Sequence, residues 1–451
     1  MPRQLFGTDG IRGIAGEFPL DRKTAHAVGN ALGRWSRQHA EAPEVLIGMD
    51  TRESGPWLAA EVAGGLERHG VRTRFAGLIT TPGVAYLTRT SSFVAGVMIS
   101  ASHNPYHDNG IKVFDHSGFK LPDSEEHLLE NDIFAAIAGG LEPSPLPLSV
   151  DEGLDRAYLD YLVSTIAVTF PGKKVVLDCA NGAASYLGPE LFRRLGAEVL
   201  AIHCEPTGRN INLNCGALHV ESLREAVMRA GAHAGVAFDG DADRAILVSG
   251  SGKTIDGDSM LLVAANALQQ AGRLQGSNGE PVVIATVMSN LGLERALSGA
   301  GISMVRTPVG DKYVLEEMIR RGALLGGEQS GHVIFREFAT TGDGLLTALQ
   351  VLSIVEKTGL SLDQLTGSLE IYPQILVNVR IGARKPLADL PAVQQEIRDA
   401  EESFGDAGRV LVRFSGTEPL ARVMVEGPDL DRVERFAGRI AGAIRTELGV
   451  A

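Results

Sequence analysis

The sequence predicts an α/β protein: three related α/β domains followed by a smaller C-terminal α+β domain. Three observations carry this. Apolar runs alternate with amphipathic helical stretches along most of the chain, the pattern of strands and helices packed in layers. One strand–helix–strand unit occurs three times. From residue 369 onward that unit does not recur.

The repeat is legible residue by residue. Val45-Leu46-Ile47-Gly48-Met49-Asp50 is a buried-strand run ending in a polar turn; a helix then closes at Gly70, and Val71–Phe75 reads as a second strand. The same order returns at Val175-Val176-Leu177-Asp178, a helix through Arg193-Arg194-Leu195, Gly196, and Ala197–Leu200. It returns again at Val282–Ala285, a helix to Gly299-Ala300-Gly301, and Ile302–Val305. Glycine follows each helix because the position past a helix C-terminus often needs a left-handed backbone. Each second strand leads into a Pro/Gly loop: Thr81-Pro82-Gly83, Pro206-Thr207-Gly208 and Thr307-Pro308-Val309-Gly310. A third apolar run then ends in a polar loop. The three loops are Ser100-Ala101-Ser102-His103-Asn104-Pro105, Asp239-Gly240-Asp241-Ala242-Asp243-Arg244 and Gly327-Glu328-Gln329-Ser330-Gly331-His332. Equivalent loops thus stand at the carboxyl ends of equivalent strands, where open α/β sheets place their ligands. Gly-closed strand–helix units also recur in other large α/β proteins, so the repeat needs the structure to confirm it.

In the last part, Pro373–Ile381 and Val410–Phe414 read as strands, with helices around Leu390–Ser403 and Leu430–Leu448. Pro- and Gly-rich stretches mark linkers at Leu141–Ser149, at Ser249–Lys253 and near Gly367. The expected domains are therefore 1–150, 151–252, 253–368 and 369–451. A length of 451 residues agrees with roughly three or four domains.

Composition narrows the function. With 44% hydrophobic and 22% charged residues, this is an ordinary globular chain. Its net charge of −13 repels nucleic acid and anionic lipid, so neither is an expected partner. An anionic small molecule would have to be held by a few local Arg and Lys side chains. Cys179, Cys204 and Cys215 contain no Cys-x-x-Cys, which argues against a disulfide framework or a thiolate zinc site and for a reducing compartment. The N-terminal segment lacks the apolar core of a signal peptide, and no apolar run reaches the ~18 residues of a membrane span. The expected location is the cytoplasm; monomer and homodimer both remain open.

Chemistry concentrates in the loops. Asp239, Asp241 and Asp243 alternate with Gly240 and Ala242, small spacers that let three carboxylates converge on a hard cation such as Mg²⁺ or Ca²⁺. An EF-hand would need Gly and Glu where Arg244 and Gly250 stand, so that reading fails. A solvated acidic turn is the plain alternative, but three carboxylates after the apolar run Gly235–Phe238 repel one another without a cation. Ser102 lacks the Gly-x-Ser-x-Gly elbow of an acyl-transfer serine. A phosphate-carrying serine would instead want a metal and cations nearby, and Lys112 follows in Asp108-Asn109-Gly110-Ile111-Lys112. Taken alone, Ser-His-Asn-Pro is equally a turn. Arg413-Phe414-Ser415-Gly416-Thr417-Glu418-Pro419 offers a guanidinium, hydroxyls and a glycine amide that together can wrap a phosphate; an ordinary strand-end turn is the alternative. The Glu328–His332 loop suits vicinal hydroxyls, or is simply a polar turn.

Together and in this order, Gly7-Thr8-Asp9-Gly10-Ile11-Arg12-Gly13 and the four loops resemble the α-D-phosphohexomutase superfamily over nearly the whole chain. Phe6, the Ile99–Pro105 form of the serine loop and Gln329 in the sugar loop are most similar to the branch acting on glucosamine phosphates. One departure is Ala242, where many such enzymes carry Gly. The resemblance implies four domains around a central cleft. It implies that Ser102 is the phosphoserine, and that its phosphate with Asp239, Asp241 and Asp243 binds Mg²⁺. Arg12, His103, Lys112 and Arg244 would surround the transferring phosphoryl group, with Lys112 the candidate general acid/base. Glu328, Ser330 and His332 would contact the sugar, and Arg413, Ser415, Gly416 and Thr417 would hold the unreacting phosphate. The implied reaction interconverts glucosamine 6-phosphate and glucosamine 1-phosphate through a bound glucosamine 1,6-bisphosphate, feeding UDP-N-acetylglucosamine synthesis. The alternatives are the same machinery acting on glucose or mannose phosphates, a non-catalytic sugar-phosphate-binding relative, and a metal-dependent phosphatase.

Overall fold

The computed structural model describes residues 5–7, 9–414 and 419–449. The chain divides into two compact units, one of Met1–Met288 with Gly301–Gly367, the other of Ser289–Ala300 with Ser368–Ala451.

The first unit holds three sheets. The first contains β1 (Phe6–Gly7), β2 (Gly10–Ile14), β3 (Glu44–Met49), β4 (Arg72–Leu78), β5 (Ala95–Ile99) and β6 (Asp108–Asp115), in the order β1-β2-β6-β5-β3-β4. The second contains β7 (Lys174–Asp178), β8 (Glu198–Ile202), β9 (Ala234–Phe238), β10 (Ala245–Ser249) and β11 (Thr254–Ile255), in the order β11-β10-β9-β7-β8. The third contains β12 (Val282–Thr286), β13 (Ser303–Thr307), β14 (Leu325–Gly327) and β15 (Val333–Phe335), in the order β13-β12-β14-β15.

One topology underlies all three. The first strand of each unit (β3, β7 or β12) lies between the second and third strands and runs parallel to both. The third strand (β5, β9 or β14) then turns back into an antiparallel neighbour, β6, β10 or β15. The repeat read from the sequence is therefore a repeat of fold. Helices cover the sheets, so β5, β9 and β12 are buried along their whole length. Burial on both faces is why these strands read as continuous apolar runs and not as alternating ones. The three polar loops are the third-strand turns, at one equivalent place in each copy.

The stretch Leu141–Ser149 is irregular, as its prolines predict, and lies along the first domain through Leu146 N–H to Ala60 O, 2.9 Å. The reading of Ser249–Lys253 as a linker needs correction. Ser249 N–H donates to Lys253 O at 2.9 Å, closing a tight hairpin between β10 and β11. Glycines at positions 250 and 252 serve that turn, which is the other common use of such a stretch.

The second unit carries β16 (Gln374–Arg380), β17 (Arg409–Phe414) and β18 (Leu420–Glu426), antiparallel in the order β16-β18-β17. Helices Pro391–Phe404 and Leu430–Leu448 supply Val393, Phe404, Phe436 and Ile440 to a core with Val379, Val423 and Val425. The two expected strands and both helices are present. The central strand β18 is the one the sequence reading passed over, because Pro419 and the polar run before it mask its start.

Helix Gly344–Thr358 begins at Asp343, whose carboxylate accepts Leu346 N–H and the Tyr158 hydroxyl at 2.9 and 2.8 Å. Burial pushes the Asp343 carboxyl up to about 6, and those hydrogen bonds only partly offset it. A folded value above the unfolded 3.8 means the native state holds the proton more tightly. Its contribution is therefore fully present below about 4 and lost as pH rises through about 6. Asn caps a helix as well as Asp and carries no charge. Asp343→Asn should therefore stabilise the fold at pH 7.5, by up to ~3 kcal/mol at about 1.4 kcal/mol for each pH unit between the two values. Denaturant titration measures the gain, which should shrink towards pH 4.5.

Candidate active site

Ser102 follows β5 with a left-handed backbone, φ +53°. Its Oγ donates to Asp239 Oδ2 at 2.5 Å and lies 3.4 Å from His103 Nδ1. The loop is held from beneath by Arg52, a fully buried side chain. Its guanidinium donates to the carbonyls of Ser102, Asn104, Pro105 and Asp108, and its Nε to Asp50 Oδ2 at 2.9 Å. Asp50 also accepts the Ser100 hydroxyl at 2.6 Å, and Ser100 Oγ accepts Ser102 N–H at 2.9 Å. Asp50 and Arg52 were missed in sequence as functional residues. The only signal was their place in the polar turn after β3, the counterpart of strand ends that bear loops elsewhere.

The second loop brings Asp239, Asp241 and Asp243 together, all three buried, with carboxylate oxygens within 4.8 Å of one another. Ala242 between them also adopts a left-handed φ of +55°, so the departure from Gly costs about 1–2 kcal/mol of backbone strain without displacing the carboxylates. Gly240 cannot be replaced so easily. A Cβ there would stand 2.5 Å from Ser102 O and 2.8 Å from Asn212 Nδ2. The serine loop and the acidic loop touch backbone to backbone at this point.

Cations surround the acids. Lys112, on β6 opposite Met98 of β5, sends Nζ to Asp241 Oδ2 at 2.9 Å and to Asp9 Oδ2 at 3.1 Å, with Asp243 at 3.9 Å. Burial alone would lower the Lys112 pKa, but Asp241, Asp9 and Asp243 outweigh it and raise it well above its usual value. Burial would likewise raise Asp241; Lys112 and the Thr81 hydroxyl overcome that and hold it low. Asp239 and Asp243 lie on the other side of the balance: burial and their acidic neighbours push both up. Arg244 Nε is 3.7 Å from Asp243 Oδ1, and Arg12 pairs with Asp9 and reaches Ala101 O at 3.4 Å. Burial, with Arg244 and Arg12 beside it, lowers His103 to about 4, so its ring is neutral near pH 7.

Asp241 Oδ1 and Asp243 Oδ1 are buried and find no hydrogen-bond donor among the described residues. Buried carboxylate oxygens left open, facing one another in an all-oxygen set, fit a hard divalent cation. The triad is thus suited to a metal ion.

The third loop joins the same place. Ala245 N–H donates to Gly331 O at 3.1 Å, stitching the acidic loop to the third. Glu328 is buried, its Oε1 accepting Gly310 N–H at 3.1 Å, with Ser330 Oγ 3.5 Å from Oε2. His332 lies under the loop, Nε2 accepting Gly342 N–H at 3.2 Å. Lys120, also missed in sequence, pairs with both Asp9 and Asp311, and Asp311 lies 3.9 Å from His332 Nε2. In the second unit Arg413, next to last in β17, stands opposite Arg422 of β18; partial burial and that second guanidinium lower its pKa. Ser415, Gly416 and Thr417, and Thr8 of the N-terminal motif, lie outside the described residues. Among the described residues no helix is long and apolar enough to cross a membrane.

Comparison with known proteins gives the family. Models of the phosphoglucomutase/phosphomannomutase family match in order: alpha/beta/alpha domain I at 3–138, domain II at 156–252, domain III at 256–372 and the C-terminal domain at 376–443. The chain belongs to the phosphoglucomutase/phosphomannomutase family, and so to enzymes that are isomerases moving a phosphate. Within it, phosphoglucosamine mutase of Solibacter usitatus is 64% identical over 449 residues, covering 100% of both chains. Among solved structures, a phosphoglucomutase/phosphomannomutase family protein from Burkholderia thailandensis superposes with a TM-score of 0.79 at 24% identity, covering 97% of each chain. N-acetylphosphoglucosamine mutase of Aspergillus fumigatus, in complex with GlcNAc-6P and magnesium, gives 0.64 at 17% identity, covering 98% of this chain and 96% of that one. At these identities the structural likeness speaks to fold.

The contact at Gly240 makes a test of the site's geometry. Gly240→Ala should part the serine and acidic loops, destabilising by about 1–3 kcal/mol. Turnover should fall at least tenfold. Denaturant titration and steady-state rates measure the two effects, and wild-type values in both would mean the loops do not depend on this approach.

Proposed function

We propose that the chain interconverts glucosamine 6-phosphate and glucosamine 1-phosphate, with Ser102 as the phosphate carrier. The observation that carries this is the Ser102 hydroxyl 2.5 Å from Asp239 of a buried acidic triad, in a chain 64% identical from end to end to a phosphoglucosamine mutase. We take the four domains as 1–150, 151–252, 253–368 and 369–451, acting in the cytoplasm as a monomer or a homodimer on a small sugar phosphate.

In this reading Asp239, Asp241 and Asp243, with the phosphate on Ser102, would hold Mg²⁺, an ion that prefers hard oxygen donors. The ion would neutralise charge on the phosphoryl group. A free sugar hydroxyl attacks the phosphorus, the bond to Ser102 Oγ breaks, and the hydroxyl proton ends on that oxygen. Lys112, protonated at rest, would relay it by giving its own proton to that oxygen as it takes the one from the hydroxyl. Arg12 and Arg244 balance the phosphoryl charge, and neutral His103 donates or accepts a hydrogen bond beside it. The product is glucosamine 1,6-bisphosphate, which turns while bound and returns its other phosphate to Ser102. Glu328 and Ser330 bind sugar hydroxyls, with His332 beneath them. Arg413, Ser415, Gly416 and Thr417 hold the phosphate that is not reacting.

Coupled assays on glucosamine, glucose and mannose phosphates test the substrate. Glucosamine phosphates should have the highest kcat/KM, and release of free phosphate without isomerised sugar would replace the mutase with a phosphatase. Ser102→Ala should lose turnover and the phosphate that intact-mass measurement finds on the wild type. Full activity in that variant would remove the carrier role.

Arg413→Ala separates the two ends of the substrate. A charged hydrogen bond contributes ~1.5–3 kcal/mol, or roughly 10- to 150-fold in binding. The variant should raise KM by that factor and let the bisphosphate escape, so that turnover depends on added glucosamine 1,6-bisphosphate. Kinetics like the wild type with and without the bisphosphate would take the phosphate clamp away from the C-terminal domain.

A further inference from the structure

A second group of metal-ligating side chains, sharing no residue with the triad, lies in the second domain. Asp178 ends β7, His203 follows β8, and Cys215 stands just before the turn Gly216–Leu218. Their ligand atoms all lie within 4.8 Å of one another. We propose that Asp178, His203 and Cys215 form a second metal site, for a borderline divalent cation of the zinc class.

The donor set argues for it. One carboxylate oxygen, one imidazole nitrogen and one sulfur suit zinc, whereas the all-oxygen triad suits a harder ion. Geometry agrees. His203 Nδ1 is 3.0 Å from Asp178 Oδ2, but it is buried and makes no hydrogen bond of acceptable geometry among the described residues. With the imidazole proton on Nε2, two electron-rich atoms face each other across this short separation. Two ligands of a tetrahedral zinc at about 2.0–2.1 Å stand about 3.3 Å apart, so one cation between these atoms would satisfy both. The carboxylate is already oriented as second contacts orient metal ligands: Oδ2 also accepts Gly216 N–H, and Oδ1 accepts Ala180 N–H, each at 3.0 Å. The His203 side chain is 33% exposed and gives an ion access from solvent, while Asp178 and Cys215 are buried. The plain alternative, an inert buried thiol beside an Asp–His hydrogen bond, lacks the hydrogen bond.

The backbone shows what such an ion would hold. His203 and Asn212 are both left-handed, with φ of +46° and +59°. A Cβ on Gly216 would stand 2.5 Å from Phe238 O, the last residue of β9 before the acidic loop. Between His203 and Cys215, Asn212 sends Nδ2 to Ser102 O at 2.9 Å and Asn104 O at 3.1 Å. An ion on these three ligands ties the segment that steadies the serine loop to the end of β7. The three ligands come from three separate segments, which is why cysteine spacing along the chain gives no sign of a thiolate site.

The test uses the full chain, metal-free, under a thiol reductant and with excess magnesium to occupy the triad. Zinc is titrated in competition with a chromophoric chelator. One zinc per chain is expected, bound at least tenfold more weakly by Cys215→Ser and by His203→Gln and equally well by Asp243→Asn. Cobalt in place of zinc should give the wild type a near-ultraviolet thiolate charge-transfer band that Cys215→Ser lacks. The cobalt spectrum of the wild type decides even if a variant folds poorly. The proposal is overturned by absence of that band, by zinc uptake unchanged in Cys215→Ser, or by uptake lost in Asp243→Asn.

Discussion

Three buried carboxylates in one five-residue stretch are the constraint on which the rest of this molecule depends. Asp239, Asp241 and Asp243 repel one another in a place that water barely reaches. Such a loop is tolerable only if positive charge is brought to it. Lys112 does most of this in the structure, its ammonium shared between Asp241 and Asp9. It comes from the first domain and Asp241 from the second, so the pair joins the two domains. Breaking one partner of a buried pair typically costs several kcal/mol, because the charge left behind is uncompensated.

The fold answers this constraint by repetition. Each of the three sheets turns back after its third strand at the same topological position, and each turn carries different side chains: a hydroxyl, three carboxylates, a glutamate with a serine. Backbone hydrogen bonds then fasten the acidic turn to its surroundings. Thr81 N–H donates to Asp241 O at 3.0 Å, Ala183 N–H to Gly240 O at 2.8 Å and Ala245 N–H to Gly331 O at 3.1 Å. Main-chain contacts leave little room for adjustment, which is why Gly240 sits where the loops are nearest.

A second line of charge runs through the first unit beside the first. Asp9 receives Arg12, Lys112 and Lys120, and Lys120 passes on to Asp311 and so towards His332. Burial would raise the Asp9 carboxyl, but the three cations hold it well below its usual range. The N-terminal motif, the serine-loop hairpin and the sugar loop are thereby one electrostatic network. Its members were invisible as a set in the sequence, where an isolated Lys120 or Asp311 has the composition of any surface position.

The three-fold repeat, the places of the three polar loops and the all-oxygen character of the acidic triad are legible along the chain alone. They are local features: apolar runs buried on both faces, glycines after helices, and aspartates at alternate positions are set by neighbours in sequence. The family resemblance added roles for Ser102 and Lys112. Which residues meet was settled only by packing. Arg52 collecting four carbonyls of the serine loop, Thr81 reaching Asp241, and Asp178, His203 and Cys215 facing one another all join residues that lie far apart in sequence. The same holds for β18, whose central place in the last sheet depends on two partner strands. Spacing cannot reveal such meetings, because they arise when separate strand ends are packed together and their charges and unpaired polar groups must be satisfied from whatever lies across the gap.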